Sequence, residues 1–467
     1  MSDDDLAFRP LLDISEDLRR RVLSSAKVTE AQLARIARLD DEYHSYATVL
    51  AERALAQAHR ADAELARGIW RGPLHGVPIA VKDLVYTSFA PTAGGTAIHR
   101  DFVPPYSATV IERLEQAGAV LLGKLAMTEA AYTNHHPSAL TPLNPWQRDY
   151  WVGTSSTGPG TAVSAALAYG ALGSDTGGSI RFPCATCNLT GIKPTWGRVS
   201  RHGVFALASS LDHVGTMCRT AADAIALLGA IAGEDINDPT TLGAPVPDYL
   251  AALDLPIRGL RMGIDRAYTR DGVDPQVVAA LDAAESVFVA LGARIVEIEL
   301  PPWRELVGRW MDVVATELAM AHRDTFPSRR SEYGPELVAF LDHGHDTTGL
   351  QLAAAAHDRL AYSGGLARSF ESVDMLLIPT MTTRIPSLAA LAGLGRDPNV
   401  LVDMLRYTAP FDFSGSPTIT LPSGIDSTGL PLSLQLVGPH LSEGALARAA
   451  HAFQKVTDWH TRRPVLA

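Results

Sequence analysis

Cysteine is scarce in this chain: three in 467 residues. That number cannot build a disulfide framework, so a reducing cytoplasm is the expected compartment. Lysine is scarcer still relative to its class, since only Lys27, Lys82, Lys124, Lys193 and Lys455 stand among 40 basic residues. An arginine cannot shed its proton at neutral pH and a buried lysine can, which draws attention to any lysine kept in apolar surroundings. Long apolar runs are missing as well; stretches such as 162–173 fall short of the ~18–20 residues that span lipid, which argues against a membrane role. The start, Met1-Ser2-Asp3-Asp4-Asp5, is acidic where a secretory leader carries positive charge. A net charge of −11 argues against nucleic acid as a partner. What is present is core material: 46% apolar residues against 19% charged excludes disorder for the bulk of the chain.

Periodicity places elements. Thr29-x-x-Gln32 reads as a capping box before Leu33, Ile36 and Ala37. Val77–Leu84 reads as a buried strand. Val110, Ile111, Leu114 and Ala117 form a helical stripe stopped by Gly118, and a short strand follows at 119–122. A segment rich in Gly, Ser and Thr runs from Gly153 to Ser179, interrupted by an apolar helix around 162–169. Thr220 caps another helix, and 236–248 reads as loop. Runs at 296–300, 375–378 and 432–436 read as strands, and a last helix follows Ser442. Strands alternating with helices over the whole length predict an α/β layered fold with a mixed sheet. The segment from 236 to about 370 reads as a lobe over the site.

Several motifs fail on inspection. Gly118–Lys124 nearly spells a phosphate loop, but Leu125 stands where a hydroxyl must hold magnesium. Ser24-x-x-Lys27 lacks the partner motif of a β-lactamase. Cys184-Ala-Thr-Cys187 has no further ligands to complete a zinc site and reads as two core thiols. His135-His136 reads as a solvated pair. Neither HExxH nor GxSxG occurs, so no metal site and no cofactor is called.

Three pieces remain: Lys82 in an apolar run, Ser155-Ser156 in Gly153-Thr-Ser-Ser-Thr-Gly158, and Asp175-Thr-Gly-Gly-Ser179-Ile-Arg181. Two glycines before a serine let successive backbone N–H groups converge on one point, as an oxyanion site requires. These pieces resemble the amidase signature family. The long Ser/Gly block matches 153–190 and ends in Gly191-Ile-Lys-Pro-Thr195. Gly76–Asp83 resembles the family's GVP…KD strand, and Thr408–Pro417 through Leu434–Gly438 its C-terminal sheet segment.

The resemblance implies one large domain over 1–467, with a central mixed, twisted sheet covered by helices on both faces. Its parts would be N-terminal helices (1–70), a signature core (71–230), a variable region lining the substrate pocket (231–370) and the C-terminal part of the sheet (371–467). It implies Ser179 as nucleophile, Ser155 as bridging hydroxyl after a cis peptide at Thr154–Ser155, and Lys82 as base. Backbone N–H groups of Thr176, Gly177, Gly178 and Ser179 would hold the oxyanion, with Ser156, Asp175 and Arg181 supporting the loops. A free lysine is neutral in only about one molecule in 2,500 at pH 7, so burial must bring Lys82 down to near 7, at about 4 kcal/mol. Asp83 falls on the opposite face of the strand and need not hold the proton on. Met127, Thr128, Tyr132, Trp310, Phe411 and Phe413 are the candidates for the pocket wall. Thr154 and Pro159 depart from the family's common Gly-Gly-Ser-Ser-Gly-Gly-Ser block. The expected activity is cofactor-free hydrolysis of a small acyl or aryl amide, hydrazide or ester, by a single chain or a homodimer. Two alternatives stand beside it. One is the amidase subunit of a glutamine-dependent tRNA amidotransferase, for which Arg359 fits and Leu405 does not; the other is an inactive binding member.

Overall fold

A computed structural model describes residues 3–394 and 398–466. Eleven strands form a single sheet: β1 (Tyr46–Val49), β2 (Pro78–Lys82), β3 (Val120–Leu125), β4 (Gly170–Asp175), β5 (Thr190–Lys193), β6 (His213–Cys218), β7 (Arg261–Ile264), β8 (Arg294–Glu297), β9 (Met375–Pro379), β10 (Thr418–Ile425) and β11 (Pro431–Val437). Their order is β1-β3-β2-β4-β6-β5-β10-β11-β9-β7-β8. The pairs β3/β2, β2/β4, β9/β7 and β7/β8 are parallel and the others antiparallel, so the sheet is mixed. Strands β2, β3 and β4 are buried at every position, which is why β2 and β3 read as apolar runs rather than alternating ones. The segment 231–370 contributes β7 and β8 to this sheet, together with the helices that run from Pro275 to Ser372.

Most predicted elements are present within a few residues, and two boundaries move for identifiable reasons. The helix predicted to begin at Thr29 spans Ser25–Tyr43, because the Ser24 side chain accepts a hydrogen bond from the Lys27 N–H and caps it one turn earlier. Ser24-x-x-Lys27 is therefore a helix cap. The helix expected around 162–169 spans Thr157–Ser164. It stops before Ala166, whose φ of +55° is incompatible with a continuing right-handed helix. The run at 120–122 is the strand β3, not a phosphate loop.

The parallel pair β2/β4 positions the chemistry. In register Ala80 faces Ala171 and Val81 faces Leu172, so Lys82 ends β2 beside the last residues of β4, Ser174 and Asp175. The loop after β4 carries Ser179, and the helix Thr157–Ser164 that feeds β4 begins just after Ser155 and Ser156. Everything singled out by the motifs thus converges at the carboxyl ends of adjacent parallel strands, where open α/β sheets place ligands.

Candidate active site

Lys82 is completely buried, and its Nζ lies 2.5 Å from Ser155 Oγ, 2.8 Å from Ser174 Oγ and 3.0 Å from Ser156 Oγ. Burial lowers its pKa to about 7, against the opposing pull of the Asp175 and Asp212 carboxylates. The proton directions can be worked out. Ser156 donates its own hydroxyl hydrogen to the Ser174 carbonyl (3.1 Å), so toward Lys82 it can only accept. A neutral amine has two hydrogens and one lone pair. With Ser156 taking one hydrogen, the lone pair is left for a hydroxyl that can donate, and Ser155 is the closest.

Ser155 sits at the apex of a tight turn, with φ +64° and a hydrogen bond from the Ser156 N–H to the Thr154 carbonyl (2.9 Å). A left-handed φ is costly for a residue with a side chain and is retained where function requires it. The expected cis bond at Thr154–Ser155 is not found; among the described residues the cis peptide is Phe326–Pro327. The tight turn brings the Ser155 hydroxyl to the amine with a trans bond.

Asp175 anchors the following loop. It is fully buried and accepts from the N–H groups of Gly178 (2.7 Å), Ile180 (2.9 Å) and Arg181 (3.3 Å), and from the Arg181 guanidinium at 2.7 and 3.1 Å. Although burial pushes its carboxyl up, Arg181 overcomes this and holds it well below the usual carboxylate range. Arg181 also reaches Asp412 (2.7 Å) and the Thr408 carbonyl (2.9 Å). Burial drives the Asp412 carboxyl up against the pull of Arg181, whereas Asp175 is held down by the same guanidinium.

One oxyanion expectation is corrected here. The Gly178 N–H is committed to Asp175, whereas among the described hydrogen bonds those of Thr176, Gly177 and Ser179 have no acceptor. Three donors remain. Ser179 is buried at 6% exposure, and among the described hydrogen bonds none joins its hydroxyl to Ser155. Catalytic contacts of this kind often tighten only when substrate binds.

Sequence reasoning missed Ser174, Asp212, Thr408 and Asp412. Ser174 gave little signal, since only the parallel pairing of β4 with β2 sets it beside Lys82. Asp412 had a signal: a carboxylate between Phe411 and Phe413 needs a buried partner. Asp212 and Thr408 gave none. Thr176 Oγ1 donates to Asp212 (2.6 Å), which burial raises to about 6. As expected, Asp83 points away from Lys82 and pairs with the buried Lys124 (3.2 Å).

Of the proposed pocket residues, Met127 and Thr128 are buried, and Thr128 donates to the Tyr132 carbonyl (2.7 Å). The Tyr132 ring stacks on Phe340 at 3.8 Å. Phe411 and Phe413 are core packing, with no surface left for a substrate to touch. Trp310 lies against the loop at 176–177. A cavity of about 290 Å3 opens beside Ser174, lined also by Leu84, Ala131, Phe205, Leu207 and Asp212. His135 is half-buried rather than fully solvated: its ring contacts the Thr157 hydroxyl (3.2 Å), and burial lowers its pKa to about 4. Cys184 and Cys187 are buried free thiols, and among the described residues no cluster of three or more metal-type ligands is present.

The whole signature block therefore folds into one compact arrangement, and residues 27–447 match the family described as Amidase. The chain belongs to the amidase family. AmiD of Mycobacterium tuberculosis (strain ATCC 25618 / H37Rv), an amidase by name, is 48% identical over 464 residues, covering 99% of this chain and 97% of AmiD. A glutamyl-tRNA(Gln) amidotransferase subunit from Methylococcus capsulatus is 39% identical, with 98% of each chain covered. The peptide amidase of Stenotrophomonas maltophilia superposes with a TM-score of 0.82 at 29% identity, again over 98% of each chain. This amidase is an enzyme that hydrolyses amide bonds, built as one α/β unit around a large mixed sheet. None of the described helices is long and apolar enough to cross a membrane.

Proposed function

We propose that this amidase cleaves the C–N bond of a small carboxylic amide through an acyl-enzyme on Ser179. The observation that carries the reading is Lys82: a fully buried amine with pKa about 7 and the Ser155 hydroxyl 2.5 Å away. Its Nζ lone pair takes the Ser155 proton while Ser155 takes that of Ser179, and the Ser179 oxygen attacks the carbonyl carbon. The N–H groups of Thr176, Gly177 and Ser179 receive the negative oxygen. When the intermediate collapses, the C–N bond breaks and the proton on Lys82 returns through Ser155 to the leaving nitrogen. Water then attacks the ester, passes a proton into the same relay, and the acid leaves as Ser179 recovers its hydrogen.

The test is to incubate the purified chain with a panel of acyl and aryl amides, hydrazides and esters. Released amine and a mass increase on Ser179 equal to the acyl group are expected. Ser179→Ala should show neither; turnover by Ser179→Ala would overturn the reading. A second reading, the glutamine-hydrolysing component of a tRNA amidotransferase, draws on the 39% identity to the Methylococcus protein. Arg359, the residue that would serve glutamine recognition, instead donates to the Phe413 (2.6 Å) and Ser210 (3.1 Å) carbonyls. Hydrolysis of simple amides by the chain alone supports the first reading; activity on glutamine only with partner proteins supports the second.

A further inference from the structure

The loop between Asp175 and Ser179 contains two peptide planes whose orientation decides which N–H groups face a substrate. A peptide unit is planar and trans, so its N–H points opposite to its C=O, and holding one end fixes the other. The plane joining Gly177 to Gly178 is held at both ends. Thr408 Oγ1 donates to the Gly177 carbonyl (2.7 Å), and the Gly178 N–H goes to Asp175 (2.7 Å). The plane joining Thr176 to Gly177 is held at one end only. The Trp310 Nε1–H donates to the Thr176 carbonyl (2.9 Å), and the Gly177 N–H has no acceptor among the described hydrogen bonds. The indole approaches so closely that a Cβ at position 177 would lie 2.7 Å from its Cζ2. Glycine is thus required there for the ring to reach the carbonyl. The same residue type leaves the plane free to rotate if the ring lets go.

We propose that Trp310 is a positioning residue for catalysis: by holding the Thr176 carbonyl through its indole N–H, it keeps the Gly177 N–H turned out as an oxyanion donor. This rests on the acyl-enzyme reading above. It also gives Trp310 a different task from that of a pocket wall. The indole, 6% exposed, touches the enzyme's own loop.

The experiment compares an activated ester with its thiono counterpart, in which sulfur replaces the carbonyl oxygen and accepts hydrogen bonds poorly. In Trp310→Phe, which keeps a ring and loses the N–H, kcat for the oxygen ester should fall about 10²-fold, the effect of one lost donor, with KM little changed. The thiono ester should lose far less, so the oxygen-to-sulfur preference should narrow at least tenfold. Equal losses on both esters would show a merely structural role and overturn the proposal. If Trp310→Phe does not fold, 3-benzothienylalanine at position 310 replaces the N–H with sulfur in the same shape, and the same narrowing is expected. Thr408→Val is the comparison, because its plane stays tied to Asp175, and the preference should be largely retained. Ser179→Ala separates the two levels: turnover by that variant would overturn the acyl-enzyme, whereas an inactive Ser179→Ala with an unchanged preference in Trp310→Phe would overturn only the role of Trp310.

Discussion

At the scale of single residues, the chemistry turns on the charge of Lys82. Its pKa lies near 7, lowered by burial, and the acylation step needs the neutral amine. Neutral amine increases as pH rises, so kcat/KM should climb through a midpoint near pH 7 and level off above about pH 8. A profile falling across that range would contradict the assignment. Lys82→Ala should remove activity by several orders of magnitude while leaving the fold, since three hydroxyls remain to bond one another or water. Much of this was legible. The scarcity of lysine and the apolar run around residue 82 point to a desolvated amine from the sequence alone. The Ser174 hydroxyl on β4 was not legible, because it acquires its meaning only from the parallel pairing with β2.

At the scale of elements, the helix Pro335–Asp346 starts against the signature core. The Glu129 carboxyl accepts from the Gly334 N–H with both oxygens, each at 3.1 Å, and so caps that helix from another part of the chain. Burial pushes Glu129 up to about 7. Its folded pKa is therefore above its unfolded value, so its contribution is fully present below about pH 4.5 and is lost as pH rises toward 7. Glu129→Gln keeps an acceptor and removes the titration. The variant should match or trail the wild type in urea unfolding at pH 4.5 and exceed it at pH 8; a constant difference between the two would refute this account. Such a cap is invisible to periodicity, since local signals identify a cap only when it is a near neighbour in sequence. Ser24, by contrast, is a near neighbour, but the sequence points to Thr29 because the apolar stripe that marks a helix begins only at Leu33.

At the scale of the whole molecule, the distant C-terminal segment is tied to the catalytic loop through one side chain. Arg181 spends its guanidinium on Asp175, Asp412 and the Thr408 carbonyl, joining positions more than 225 residues apart, and all of this is buried. The sheet order explains why: β5, after the loop, lies beside β10, which follows the helix Ala409–Phe413. The resemblance assigns these segments to two separate family blocks, and only topology puts Asp412 opposite Arg181. Arg181→Lys keeps the charge but cannot fork to two carboxyls and a carbonyl at once. Removing one side of a buried charged network costs about 3–5 kcal/mol, and lysine's retained charge offsets part of that. The variant is therefore expected to lose stability in urea unfolding by a few kcal/mol. Activity should fall further than unfolding explains, because Asp175 would lose the paired hydrogen bonds that align it beneath Gly178 and Ile180. Full activity in a destabilised Arg181→Lys would mean that the loop holds its shape without the fork. The long-range tie would then serve folding alone.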